Sequence, residues 1–151
     1  MKKLMIIFII AALSTGSLCA QNRTIYGRVI SERLDTIFGV HIIINGSIEV
    51  GSTDLKGFFR IEVPDSVKKL LFRGVGYEPT IITPADNCSE IELVIMSGGY
   101  YDFKTLKQVD KLRMKKLKKI PEIHQQAFAK GLFKTDKACY TQEIILYNKK
   151  K

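Results

Sequence analysis

Two histidines, His41 and His124, and two cysteines, Cys88 and Cys139, are the residues beyond position 20 best suited to ligate a metal or act as nucleophile and base. A catalytic zinc takes about three His, Cys or carboxylate ligands around an open position. Neither histidine has a second ligand at helical or hairpin spacing, and no HxxE or HExxH arrangement occurs. A metallocarboxypeptidase-type centre is therefore excluded as far as sequence can exclude it, and no metal or cofactor is expected. No GxSxG marks a serine nucleophile. A hydrolytic site could only be assembled from scattered residues such as His41, Arg73 and Glu78, which would need a deep polar pocket to converge. Asp54 with Glu49 is the nearest approach to a calcium loop, but such a loop gathers several carboxylates within about a dozen residues. The chain is expected not to be an enzyme.

Two further groupings bear on binding and stability rather than catalysis. Cys88 and Cys139 could pair in an oxidising compartment, where the closed loop would stabilise by roughly 3 to 5 kcal/mol; two separate buried thiols are the alternative. Lys104, Lys107, Lys111, Lys115, Lys118 and Lys119 fall within a helical sector of about 120° at about 100° per residue. That cationic face has three readings: a solvated surface, a contact with an anionic membrane at ~1 kcal/mol per lysine, or a site for an acidic partner.

The elements that must position these residues follow from patterning. With 151 residues, 46% of them apolar and 26% charged, the chain has enough apolar surface for one globular domain and too little length for a second large one. Lys2 and Lys3, an unbroken apolar run over 4–13 and a small, polar stretch to Ala20 form the three parts of a secretory leader over residues 1–20. Ten apolar residues rise about 15 Å as a helix, half of a ~30 Å hydrocarbon core, so cleavage after Ala20 is expected rather than a membrane span. Lipidation of Cys19 is the alternative, although Gly16-Ser17-Leu18 is a poor match to such a site. The expected address is the periplasm or the outer membrane. Nucleic acid then drops out as a partner despite the net charge of +9, and an envelope protein, an anionic membrane surface or an acidic glycan takes its place.

Residues 21–97 read as strands: β-branched and apolar runs at 24–30, 40–44, 48–53, 58–63, 70–75, 80–83 and 91–96, with turn signals at about 8 to 12-residue intervals. The prediction is a mainly β, seven-stranded antiparallel sandwich. Phe59, Ile61 and Val63, and Ile91, Leu93 and Ile95, alternate with outward residues. Asp54 to Gly57 reads as a type I hairpin turn, Asp accepting from turn amides and Gly tolerating positive φ. Gly74, Gly76 and Tyr77 read as a structural corner with the ring packed inward, and Pro79 as a strand start or edge.

Residues 98–151 read as a basic helical tail. Phe103, Leu106, Val109, Leu112, Met114, Leu117 and Ile120 recur at three to four residues and predict a helix whose apolar face packs on the sandwich. Pro121 ends that helix or opens a second one, which Gly131 closes, and 140–147 alternates weakly enough to be a last strand.

Tyr26-Gly27-Arg28-Val29, Phe38-Gly39-Val40-His41-Ile42, Asn45-Gly46-Ser47, Thr53-Asp54 to Gly57-Phe58, Val63-Pro64, Leu70-Leu71-Phe72 and Gly76-Tyr77-Glu78 occur in an order and spacing that resemble the carboxypeptidase-like regulatory domain. The resemblance spans 24–96 and implies a transthyretin-like sandwich and a non-catalytic module, of the kind found on TonB-dependent outer-membrane receptors and in small exported proteins. It departs at Glu32-Arg33-Leu34-Asp35-Thr36, where relatives often have a shorter turn. Together these readings predict an exported binding or adaptor module of the cell envelope, or a structural envelope protein that contacts membrane or glycan through its Lys-rich helix.

Overall fold

The computed structural model describes residues 21–148; the leader expected over 1–20, with Cys19, lies outside the described residues. Eight strands and two helices follow in order: β1 (Asn22–Ser31), β2 (His41–Ile44), β3 (Ile48–Ser52), β4 (Phe58–Pro64), β5 (Leu70–Arg73), β6 (Thr80–Pro84), β7 (Glu90–Ile95), α1 (Leu106–Leu117), α2 (Ile120–Ala129) and β8 (Tyr140–Ile144). The seven predicted strands appear with ends shifted by a few residues, because β-branched runs bounded by turn residues leave little choice of local structure.

The strands form two sheets, ordered β4-β1-β7 and β3-β2-β5-β6-β8. They face each other across one apolar core. Ile25, Val29, Phe59, Ile61, Ile91 and Leu93 of the first sheet meet Ile42, Leu70, Phe72 and Ile82 of the second. β4 shows why: its residues alternate between exposed and buried up to its last position, so one face is wholly committed to the core.

Two expectations are corrected. The sandwich is not wholly antiparallel, since β1 pairs with β7 in parallel, Gly27 opposite Ile91. It has eight strands, not seven, because β8 pairs antiparallel with β6 from Thr80 opposite Ile144 to Pro84 opposite Tyr140. The stretch after residue 97 thereby supplies an outer strand of the larger sheet.

The tail also covers the outer face of β7. Ile30, Val94 and Met96 pack there against Ile120 and Ala127 of α2, with Phe133 and Ile144. Val94 stands where strict alternation would put a polar residue because that face is interior as well.

The helix ends carry clear local causes. Thr105 opens α1 with a capping box: its hydroxyl accepts from the Gln108 amide at 3.3 Å, and Gln108 Oε1 accepts from the Thr105 amide at 2.9 Å. Pro121 sits in the first turn of α2, where its missing N–H costs nothing. Gly131 donates to Phe128 O and Leu132 to Ala127 O, both at 2.9 Å, a paired C-terminal cap with Gly131 at φ +70°. No helix among the described residues is long and apolar enough to cross a membrane.

Candidate functional site

The predicted turns are built as bonded corners. Asp54 Oδ1 accepts from the Lys56 and Phe58 amides at 2.9 and 2.8 Å, and Gly57 N–H returns to Asp54 O at 2.9 Å. Gly57 has φ +77°, and a Cβ there would lie 2.5 Å from Val29 O. Asp54 thus spends its carboxylate on the turn. The turn is not a hairpin, however: β3 and β4 belong to different sheets, and it carries the chain from one layer to the other. Tyr77 N–H bonds Gly74 O at 3.2 Å, Gly76 sits at φ +82°, and the Tyr77 ring packs against the core. Pro79 lies just before β6, which is an inner strand of its sheet.

The scattered hydrolase residues go to separate partners. His41 Nδ1 lies 2.7 Å from Glu49 Oε1 on the surface of the β2–β3 pair. Arg73 stands across from His41 in the β2–β5 register and is exposed. Glu78 is buried and belongs to a different cluster.

That cluster centres on Arg113, whose side chain is 0% exposed. Its Nε and Nη2 donate to Glu78 Oε2 at 3.0 and 2.7 Å, and its Nη1 donates to Asp110 Oδ1 at 3.0 Å and to Ile145 O at 2.8 Å. The Tyr147 ring lies 4.1 Å from the guanidinium carbon. Asp110 in turn accepts from the amides of Tyr147 at 3.0 Å and Asn148 at 2.8 Å. Burial alone would raise the Asp110 carboxyl, but those two amides and Arg113 hold it below the usual carboxylate range. Burial and the nearby Glu78 carboxylate raise the Tyr101 hydroxyl, which is buried beside the cluster without a hydrogen-bond partner.

This arrangement turns α1 over relative to the prediction. Its buried residues are Val109, Asp110 and Arg113, with Leu117 half-buried. Phe103, Leu106, Leu112 and Met114, expected to face inward, are exposed. The signal was present in the sequence: Val109, Arg113 and Leu117 are spaced four apart, so Arg113 sits within the apolar stripe. Lys104, Lys107, Lys111, Lys115, Lys118 and Lys119 all lie toward solvent, and among the described residues none of them makes an ion pair.

A second set of buried polar groups fastens the connection from α2 to β8. The Glu92 carboxylate accepts from the Lys134 amide, from the Thr135 amide at 3.0 Å and from the Thr135 hydroxyl at 2.7 Å. Lys134 Nζ pairs with Glu90. His124 Nε2 lies 3.1 Å from Thr135 O and so carries the ring proton, while Nδ1 is buried without a partner. Burial lowers the imidazole below its ordinary value against the opposing pull of Glu92. Cys88 and Cys139 are joined by a disulfide with Cα atoms 5.6 Å apart, tying the loop before β7 to the residue preceding β8. From β8, Tyr140 Oη and Gln142 Nε2 donate to Glu92 O at 2.6 Å and Val94 O at 2.9 Å, closing the open side of β7.

Two clefts flank β8. One, about 440 Å³, lies between it and the start of α2, and includes Leu117, Ile120, Pro121, His124 and Tyr140 in its wall. The other, about 450 Å³, includes Ile81, Met114, Glu143, Ile145 and Leu146. Among the described residues no group of three or more His, Cys, Asp or Glu is placed to hold a metal ion. Comparison with protein families and with curated proteins gives no match to this chain.

Proposed function

We propose that this chain is a non-enzymatic, exported binding or adaptor module of the cell envelope, built on a transthyretin-like sandwich of the carboxypeptidase regulatory-like type. One observation carries the reading. Each buried polar or charged side chain among the described residues, namely Ser31, Thr53, Glu78, Thr80, Glu92, Asp110, Arg113 and His124, makes at least one bond to another part of the same chain, His124 through Nε2 alone. Groups spent on internal bonds hold shape; a catalytic set would converge on a shared space that a substrate could enter. The disulfide between Cys88 and Cys139 fits an oxidising compartment.

The partner surface we assign is the outer edge of β8 with its two clefts. β8 ends the five-stranded sheet, and an outer strand offers main-chain donors and acceptors to an extended segment of a partner. β7, at the end of the other sheet, is already closed by Tyr140 and Gln142. The test is site-specific photocrosslinking in cells, with the reactive residue placed at Glu143 on β8 or at Arg60 on β4. A discrete envelope protein crosslinked from 143 and not from 60 is the expected result. Equal labelling from both positions, or a chain retained in the cytosol, overturns the proposal.

A further inference from the structure

Pairing register gathers the loops of this molecule at two ends. His41 at the start of β2 faces Ser52 at the end of β3 and Arg73 at the end of β5. The loop before β2, the turn after β3 and the turn after β5 therefore share one end. Their tips carry Phe38, Leu55 and Val75, exposed at 66, 78 and 98%. The segment after β7 joins them there, because Gly98 N–H bonds Gly76 O at 2.8 Å. It carries Tyr100 and Phe103, both wholly exposed. Helix α1 is fastened beside the same end through Arg113 and Glu78, the latter just before β6.

These large apolar side chains stand on separate loops, and Phe103 also lines a shallow cleft with Lys104, Lys111 and Leu112. They would, however, reach together into a soft apolar medium. Phe103 adds a second observation: it holds φ +61°, a left-handed backbone that a bulky residue adopts rarely. That backbone presents the ring wholly to solvent, immediately before the six unpaired lysines of the α1 region.

We infer that this end of the sandwich is a membrane-interface surface for an anionic bilayer, with Phe38, Val75, Tyr100 and Phe103 entering the headgroup boundary while Lys104, Lys107 and Lys111 engage the lipid charge. Aromatic and aliphatic residues beside lysines that lack acidic partners are the side chains such a boundary selects. This surface is separate from the β8 edge, works whichever protein meets that edge, and does not require that α1 span or tilt into the hydrocarbon.

The chain contains no tryptophan, so a single one placed by substitution reports its own surroundings. Phe103→Trp and, at the opposite end, Ile48→Trp are made in the full chain; Ile48 begins β3 and faces Ile44 at the far turn. With phosphatidylglycerol vesicles, emission from position 103 shifts to the blue and is quenched by brominated acyl chains, while position 48 stays unchanged. Phosphatidylcholine vesicles leave both unchanged. Replacing Lys104, Lys107 and Lys111 with Gln weakens partitioning on the order of 100-fold, from ~1 kcal/mol per lysine. An emission spectrum of the Phe103→Trp variant that anionic vesicles leave unchanged overturns the inference. Equal shifts at 48 and 103 overturn it as well, as does a shift reproduced by a soluble polyanion without quenching by brominated lipid.

Discussion

At the scale of single residues, Arg113 has the most at stake. A guanidinium withdrawn from water is tolerable only when its donors and charge are answered, and here two carboxylates, a carbonyl and an aromatic face answer them. Arg113→Met leaves Glu78 buried and uncompensated and should cost about 3–5 kcal/mol in urea unfolding. Adding Glu78→Gln should restore part of that loss; a double variant no more stable than the single would show that the pair does not account for the cost. Gly27 matters for space rather than charge. A Cβ there would fall 1.8 Å from Ile91 O, inside the β1–β7 pairing, so Gly27→Ala should lower stability by at least about 3 kcal/mol or abolish folding, seen as a lost thermal transition. Asp54 and Gly57 were legible in sequence because a turn reads its own four residues. Arg113 was legible only in part: its place between Val109 and Leu117 puts it on the apolar stripe, but its partner Glu78 comes from across the fold and no local pattern names it.

At the scale of elements, the strands were readable because alternation is local, whereas their neighbours were not. The parallel pairing of β1 with β7 depends on the path of everything between them, and nothing in 22–31 or 90–95 alone specifies it. β8 was only faintly marked, since a five-residue strand with polar outward residues resembles a loop. What fixes it is nonlocal: the β6 ladder, the Glu92 and Val94 carbonyls, and the disulfide. Reduction of Cys88–Cys139, or replacement of both by Ser, should cost roughly 3–5 kcal/mol. Amide exchange checks where the loss falls: protection should drop first in 139–144 and 85–90, and an unchanged exchange pattern would contradict the assigned role of the bridge.

At the scale of the molecule, acidity reports the two buried networks. His124 sits below its ordinary value of about 6.5, so the unfolded chain binds more protons than the folded one as pH falls past that point. Its contribution is complete above about pH 6.5 and shrinks toward the lower folded value. Asp110 is likewise held low, and its contribution, complete above the ordinary carboxylate value near 4, is lost as pH falls through the lower folded one. The urea midpoint should therefore be flat at neutral pH and fall in two stages on acidification. His124→Asn should remove the first stage, and a midpoint that rises on acidification would contradict both assignments.

The place of β8 also dictates an order of events. The ladder that completes the larger sheet is encoded after both helices, so a chain emerging from a ribosome leaves β6 without its neighbour until residue 144 has passed. Emergence and finishing the fold are thereby kept apart in time, and a chain halted before that point would carry a bare, sticky strand flank that quality control could recognise.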